Sequence, residues 1–239
     1  MLDVHPAHHA ASTWRDFLIH ITTIVLGLLI AIGLEQTVEF FHHRHQRHQL
    51  EEDLRDEAQR NIGRIEANQK NFAVYIAWYR DVLKIARAAT PSGGLVTFVI
   101  PARVTPPPAL RPLDSVWPAA KASGTVAVLS HEEVEIFGRV DSYAEQAEKD
   151  AEVRDAGRLA EDAVLSRLGL TDAPGATLRM TPEERDELMR VVALHLEGVR
   201  QLSIADAIWE GSSDGALHGA RPPDEMAPYI ARATAALPK

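Results

Sequence analysis

Cysteine is missing from this chain of 239 residues, which excludes disulfide bonds and thiolate metal sites. Proteins without cysteine occur on either side of a bacterial inner membrane, so this absence leaves the compartment open. Positive charge is also scarce, since 25 Lys and Arg residues face 34 Asp and Glu residues and the net charge is −9. An acidic chain lacks the attraction to phosphates on which nucleic-acid binding depends, so we expect no nucleic-acid partner.

Recognisable catalytic motifs are missing as well. No P-loop or dinucleotide fingerprint occurs. Residues 211–215 (Gly-Ser-Ser-Asp-Gly) match G-x-S-x-G, but a nucleophile elbow needs a strand before its serine and a helix after it. Here the pattern predicts a helix before Ser213 and a glycine-rich loop around it. Residues 131–135 lack the second histidine of a metalloprotease helix. We therefore expect a non-enzymatic protein with no catalytic residues and no cofactor.

One long apolar run is present, over residues 17–34, and it contains no charged residue. As a helix it would be about 27 Å long, close to the ~30 Å hydrocarbon core of a bilayer. Trp14 before the run, and Phe40 and Phe41 after it, suit the aromatic belts of a membrane. We predict a transmembrane helix over 17–34, preceded by a short N-terminal tail over 1–16.

Two alternatives to a transmembrane helix remain open at this stage. A buried core helix of this length usually carries a polar stripe, and this run has none. A cleaved signal peptide is the second alternative, because Ala31-Ile32-Gly33 loosely fits the small-x-small cleavage pattern. Only one arginine precedes the run, however, and the sequence continues into a strongly helical pattern without a break.

The charges beside the run give little information on orientation. Arg15 and the amino terminus precede it, while Arg44 and Arg47 follow it. Short N-terminal tails of bacterial single-pass proteins mostly stay inside. We therefore expect a single-pass protein of the bacterial inner membrane with a periplasmic C-terminal domain.

Small residues recur on one face of the run, at Thr23, Gly27 and Ala31. Such spacing lets two helix backbones approach closely in lipid, so it favours transmembrane packing and a homo-oligomer. The alternative is that glycine and alanine are simply common in membrane helices.

Proline and glycine divide the rest of the chain. A long membrane-proximal helix is predicted over 35–90, a Pro/Gly-rich connector over 91–113, and a helical domain over 114–239 that packs on the long helix. Within the long helix an apolar seam alternates steps of three and four residues, which predicts packing against another helix. Its members are Ile62, Ile65, Gln69, Phe72, Ile76, Tyr79, Leu83 and Ala86. The more polar stretch over 35–61 is expected to be solvated.

Local signals predict the remaining elements. Residues 95–100 favour a short, isolated strand. Asp114 is expected to cap a short helix that ends at Gly124. Two capping boxes, Ser130 with Glu133 and Thr181 with Glu184, open long helices. These helices are expected to end at Gly169 and Gly211, and a weaker helix is expected over 224–237. The predicted fold is mainly α, a helical bundle with a proline-rich connector.

Two segments resemble a family of uncharacterised bacterial single-pass membrane proteins. One is residues 16–44, where the apolar run ends in Gly33-Leu34-Glu35-Gln36. The other is residues 113–137, where Trp117, Ala120, Ser123 and Gly124 precede Glu132-Glu133. The resemblance covers about a quarter of the chain. It implies an N-terminal span and a helical extramembrane domain, and it implies no activity.

A histidine-rich cluster follows the run. His42, His45 and His48 share one helix face with Glu39 one turn earlier, and such spacing can bind Zn²⁺ or Ni²⁺. The alternative is a collar over His42–His48 that contacts anionic lipid headgroups. If the run spans a membrane, the histidines at positions 5, 8 and 9 lie on the other side and cannot complete a metal site.

Two further residues have competing interpretations. His195 lies on an apolar row, which favours a core histidine with satisfied hydrogen bonds. Trp117 follows the proline-rich segment, so it either lines a ligand groove or forms a hydrophobic plug at the end of the bundle.

Three functions follow from these patterns. The first is a membrane-anchored, non-enzymatic interaction or structural module, whose partners are the lipid bilayer, a second copy and an unidentified protein. The second is a membrane-anchored sensor or ligand-binding module that uses the His42–His48 collar or a groove near Trp117. The third, a membrane-anchored hydrolase centred on Ser213, has the least support.

Overall fold

The computed structural model describes residues 13–101, 109–169, 175–218 and 226–236. These residues are predominantly helical, so the prediction of a mainly α fold is confirmed. The elements in chain order are α1 (Trp14–Ala88), β1 (Val96–Val99), α2 (Val116–Ser123), a 3₁₀ helix (Thr125–Val128), α3 (His131–Arg167), β2 (Thr177–Met180), α4 (Pro182–His218) and α5 (Met226–Ala236).

The chain divides into two compact units, Met1–Gln49 and Leu50–Lys239, and α1 contributes to both. In the first unit, every large apolar side chain from Phe17 to Leu34 is at least 41% exposed. This part of α1 is long and apolar enough to cross a membrane, and none of it is buried. A core helix is buried by its own chain, so the alternative of a soluble core helix is wrong.

The second unit contains the hydrophobic core, to which the later part of α1 contributes one face. The predicted seam is confirmed for Ile65, Phe72, Ile76, Tyr79, Leu83 and Ala86, all of which are buried. The expectation of a solvated stretch over 35–61 is wrong from Leu50 onward. Leu50 and Leu54 join a buried cluster with Trp117 and Phe137. Two leucines one turn apart in a charged sequence are a weak local signal, and distant partners decide their burial.

Helices α3 and α4 pack together unusually closely, and glycine permits this at two points. A methyl group built on Gly157 of α3 would lie 2.9 Å from the Cα atom of His195 in α4. A methyl group on Gly198 of α4 would lie 2.9 Å from the Cα atom of Arg154 in α3. Each glycine therefore faces the backbone of the other helix, where no side chain fits without moving the helices apart.

The strand predicted over 95–100 is confirmed as β1, but it is not isolated. It pairs antiparallel with β2, with Val96 opposite Met180 and Val99 opposite Thr177. Exposure alternates along both strands, so Val96, Phe98, Leu178 and Met180 all face one core cluster. The sequence pattern does not predict β2, because alternation over only four residues is too short to identify a strand.

Most predicted helix ends are confirmed. Both capping boxes form, with the backbone N–H of Glu133 donating to Ser130 and that of Glu184 donating to Thr181. Gly124 ends α2 in the left-handed conformation, with φ of 74°. Leu168 and Gly169 follow the last residue of α3. Helix α5 lies within the weaker helix expected over 224–237.

The expected end of α4 at Gly211 is wrong, because the helix continues to His218. A methyl group on Gly211 would lie 3.0 Å from Cδ2 of Tyr229 and 3.3 Å from the Cα atom of Met226, both in α5. Glycine inside a helix costs about 1 kcal/mol. Here that cost is offset because the missing side chain lets α5 pack directly on α4.

Candidate functional site

An irregular segment over residues 109–115, here called the strap, lies along a polar stripe of α1. The stripe consists of Glu57, Asn61, Arg64 and Asn68, spaced four, three and four residues apart. These residues therefore share one helix face. Each of the four side chains bonds to the backbone of the strap or of the residue after it.

The two asparagines hold the strap through paired hydrogen bonds. Nδ2 of Asn68 donates to the carbonyl of Leu110 at 2.9 Å, and the N–H of Leu110 donates back to Oδ1 at 2.7 Å. Asn61 makes the same pair with Leu113, at 2.8 and 2.9 Å. Each amide thus satisfies the N–H and the C=O of one strap residue, as a neighbouring strand would.

The spacing of these pairs shows that the strap is extended. Asn61 and Asn68 are two helical turns apart, about 10.5 Å. Their partners Leu113 and Leu110 are three residues apart, so each strap residue covers about 3.5 Å, near the maximum for a polypeptide. Between the two pairs, Nε of Arg64 donates to the carbonyl of Arg111 at 2.8 Å. The stripe therefore binds the backbone of an extended chain.

Glu57 completes the stripe by capping α2 from another helix. Its Oε2 accepts hydrogen bonds from the N–H and the hydroxyl of Ser115, at 3.1 and 2.9 Å, and from the N–H of Val116 at 3.3 Å. The residue at the N-cap position is Ser115, whose side chain makes no capping bond. The prediction that Asp114 caps this helix is therefore wrong.

Arg111 ties the strap to α3. Its Nη1 donates to Oε1 of Glu148 at 2.9 Å, and its Nη2 donates to Oδ2 of Asp155 at 2.6 Å. A surface cavity of about 540 Å³ lies at this junction, and its wall includes Arg111, Asp114, Glu145 and Glu148. The strap is thus held by α1 through its backbone and by α3 through one side chain.

Asp114 lies in the strap and interacts with a second carboxylate, Asp141 of α3. Oδ2 of Asp141 pairs with Nζ of Lys121 at 2.9 Å, but its buried Oδ1 has no hydrogen-bond partner among the residues that the structure describes. Burial and then the negative charges of Asp141 and Glu57 raise the pKa of Asp114 to about 6. A protonated Asp114 carboxyl can donate a hydrogen bond to the carboxylate of Asp141.

A second titrating carboxyl lies at the other end of the strap. Asp206 of α4 is only 2% exposed, and its Oδ2 accepts a hydrogen bond from Nδ2 of Asn68 at 3.0 Å. Burial raises the pKa of Asp206 to about 7, although the bond from Asn68 and the positive charge of Arg154 oppose this increase. Asn68 therefore bonds to both Asp206 and Leu110 of the strap.

The interpretation of His195 as a core histidine with satisfied bonds is confirmed. Its Nδ1 lies 2.7 Å from Oε2 of Glu161 and 2.9 Å from the hydroxyl of Tyr79. The Tyr79 hydroxyl also donates to the same Glu161 oxygen at 3.0 Å. All three side chains are buried, so this triangle links α1, α3 and α4 inside the apolar core.

Trp117 is a buried core residue, as the plug interpretation expects. Its side chain is 6% exposed and packs in the cluster that contains Leu50, Leu54 and Phe137. Its ring also covers Gly138, since a methyl group there would lie 3.3 Å from Cζ2. The Trp117 ring therefore has little surface left for a ligand.

Ser213 lies inside helix α4, fully buried, so the prediction of a glycine-rich loop around it is wrong. A helix both precedes and follows Ser213, and this differs from the strand-to-helix turn of a nucleophile elbow. The residues at 211–215 accept the helical conformation because α5 packs over Gly211.

The predicted metal-site residues Glu39, His42, His45 and His48 are all exposed on α1. Among the residues that the structure describes, no group of three or more His, Cys, Asp or Glu side chains is arranged to hold a metal ion. The histidines at positions 5, 8 and 9 lie outside the described residues. The collar is therefore a solvent-accessible row of imidazole and guanidinium groups.

The small-residue face of the apolar run is exposed. The Thr23 hydroxyl donates to the carbonyl of Ile19 at 2.8 Å, which satisfies it within its own helix. Apart from the backbone of its own helical turns, no atom of the described residues lies within 4 Å of a methyl group built on Gly27. Ala31 is exposed too, so these three residues offer a shallow surface that a second helix can approach.

The polar stripe of α1 was missed by the sequence analysis. Its only local signal is the spacing of Glu57, Asn61, Arg64 and Asn68, which places polar residues beside the apolar seam. Polar residues at such positions usually mark a solvated face. Recognising the strap as their partner requires knowing that residues 109–115 pass alongside.

Comparison of the chain with family models, with curated proteins and with solved structures finds no match. The resemblance in residues 16–44 and 113–137 therefore remains an interpretation. Any proposal on function depends on the sequence and the geometry alone.

Proposed function

We propose that this chain is a non-enzymatic interaction or structural module anchored in the bacterial inner membrane by residues 17–34, with its C-terminal domain in the periplasm. The observation that supports this most strongly is that every large apolar side chain in the apolar part of α1 is exposed. Twelve of its 18 residues are Leu, Ile, Val or Phe. Together these contribute about −4 to −7 kcal/mol to membrane insertion. Water is a poor solvent for such a surface, and a bilayer is the partner that fits its length.

The arrangement of polar residues in the second unit supports an interaction role over catalysis. Tyr79, Glu161 and His195 bond to one another in the core. Asn61 and Asn68 bond to the strap. These buried groups are occupied in holding the fold together, whereas a catalytic group must reach its substrate.

Self-association through the small-residue face tests the interaction role. Gly27→Ile puts a branched side chain where two helix backbones would meet, and it leaves insertion intact because isoleucine is more apolar than glycine. Close packing in lipid depends on contact between backbones, without a hydrophobic drive between helices. We expect the native chain to crosslink to a second copy in membranes, and Gly27→Ile to lose most of that signal.

Gly33→Ile is the matched control, because Gly33 lies in the same exposed segment but off the face of Gly27. A methyl group on either glycine meets no atom of the described residues within 4 Å, apart from the backbone of its own helical turns, so neither substitution disturbs the isolated helix. Gly33→Ile should keep the native crosslinking signal. Equal loss in both variants, or a native signal at the level of a monomeric single-span protein, would remove the homo-oligomer from the proposal.

A further inference from the structure

We propose that the strap over residues 109–115 is a proton-operated clasp, held closed on α1 when Asp206 and Asp114 carry protons and loosened when both carboxyls ionise. The two carboxyls act at opposite ends of the strap. Asp206 is joined to it through Asn68, and Asp114 is part of it. The inference does not depend on membrane anchoring, because every group involved lies in the second unit.

At the Leu110 end, the link is the side-chain amide of Asn68. Its Nδ2 has two hydrogens, one donated to Leu110 at 2.9 Å and the other to Asp206 at 3.0 Å. A protonated Asp206 is a neutral group in a dry site, which is the favourable state for a carboxyl that is 2% exposed. An ionised Asp206 requires solvation, and release of Leu110 from Asn68 opens a path for water to reach it.

At the Asp114 end, the link is repulsion between carboxylates. Asp114 approaches Asp141 of α3 and Glu57 of α1, and the Lys121 ammonium, bonded to Asp141, compensates only part of this negative charge. A proton on Asp114 turns the contact with Asp141 into a hydrogen bond. Loss of that proton leaves two carboxylates in contact, and strap opening separates them.

The charged groups that face Asp206 have opposing effects. Arg154 of α3 favours the ionised form, while Asp150 of α3 and Glu210 of α4 disfavour it. Asn68 of α1 stabilises the ionised form by donating a hydrogen bond. Burial raises the pKa of Asp206 by more than Asn68 and Arg154 lower it, so this pKa is about 7.

Thermodynamic linkage gives the direction of the pH effect. A carboxyl whose pKa is higher in the closed state than in the open state binds its proton more tightly when closed, so opening is favoured as pH rises. The opening constant is the equilibrium ratio of open to closed strap. If opening fully solvates Asp206, this constant should rise about 100-fold between pH 5 and pH 8. Asp114 is partly exposed already, so its contribution is below about tenfold.

Residue-resolved hydrogen exchange of the full chain in lipid nanodiscs tests the clasp. The strap amides of Leu110 and Leu113 donate to Asn68 and Asn61, so their exchange reports opening. After correction for intrinsic exchange rates, the opening constant of both should rise at least about tenfold from pH 5 to pH 8. The amide of Val199, in the core of α4, should stay better protected than both at each pH. A rise below about tenfold would overturn the proposal, as would strap exchange with the same opening constant as Val199.

Three variants test which residue causes the pH dependence of strap opening. Asp206→Asn, which mimics the protonated acid, should remove most of the pH dependence, and Asp114→Asn should remove a smaller part. Glu148→Gln is the matched control, because it removes one ion pair of Arg111 and Glu148 is not among the groups that shift Asp206. It should weaken strap protection at both pH values and keep the fold-change between them. If Asp206→Asn retains the tenfold change, or Glu148→Gln abolishes it, the clasp is wrong.

Discussion

Replacing Gly157 or Gly198 by alanine should lower the free energy of unfolding by about 2 to 3 kcal/mol. A methyl group at either position would lie 2.9 Å from a Cα atom of the facing helix. That neighbour is backbone, so it cannot rotate away as a flexible side chain can. Helices α3 and α4 would have to separate, and the buried contacts beside the crossing would loosen. Urea unfolding of the full chain in detergent micelles, followed by circular dichroism, measures the loss.

Gly63→Ala is the control for this prediction. Gly63 is an exposed residue inside helix α1, and a methyl group there meets no atom of another described element within 4 Å. Alanine should therefore raise the free energy of unfolding by up to about 1 kcal/mol through its helix propensity. A similar gain in Gly157→Ala would show that α3 and α4 do not approach as closely as the structure places them.

Asp206→Asn should stabilise the protein at pH 8 and change little at pH 4. The pKa of Asp206 is about 7 in the folded chain and 3.8 without burial. The folded state therefore holds this proton more tightly than the unfolded state. Its contribution to stability is fully present below pH 4 and is lost as pH rises through 7.

Asparagine at position 206 keeps the shape of the side chain, accepts the hydrogen bond from Asn68 and carries no charge. The gain at pH 8 should be about 2 to 4 kcal/mol.

Asp162→Asn is the matched control for Asp206→Asn. Asp162 lies on the exposed side of α3, where its side chain is 53% exposed and pairs with Arg158 at 3.5 Å. Removing its charge should change the free energy of unfolding by less than about 0.5 kcal/mol at either pH. Unfolding curves of both variants at pH 4 and pH 8 supply the comparison. Destabilisation of Asp206→Asn at pH 8 would mean that Arg154 outweighs burial at this site.

The parts of the fold that the sequence predicts correctly depend on neighbouring residues. The pair Ser130 and Glu133 lies three residues apart, and each satisfies a backbone N–H of the other's turn. Gly124 ends a helix because only glycine adopts its backbone conformation without strain. The apolar seam of α1 has the helical period. Such signals act within a turn or two of the chain, so one sequence is sufficient to recognise them.

The parts that the sequence does not predict depend on distant residues. Helix α4 passes through Gly211 because α5 packs over it. The N-cap position of α2 is Ser115 and not Asp114, because Glu57 supplies the cap across a separation of 58 residues. In each case the local sequence favours a different structure, and tertiary contacts outweigh this local preference.

The candidate site also combines features that neighbouring residues predict with features that depend on distant residues. The position of His195 on an apolar row predicts a buried histidine, but its partners Glu161 and Tyr79 are 34 and 116 residues away in sequence. The polar stripe of α1 reads as a solvated face until the strap is placed beside it. Asn68 and Asp206, separated by 138 residues, meet only in the folded structure.

The central claim is that residues 17–34 remain in the mature protein and anchor it in a bilayer. Intact-mass analysis of the protein recovered from carbonate-washed bacterial membranes tests this most directly. The prediction is that the chain stays in the membrane pellet and has a mass that includes residues 17–34. Recovery in the soluble fraction, with a mass that lacks the first 33 residues, would show that the segment is a cleaved signal peptide and would contradict the membrane anchor.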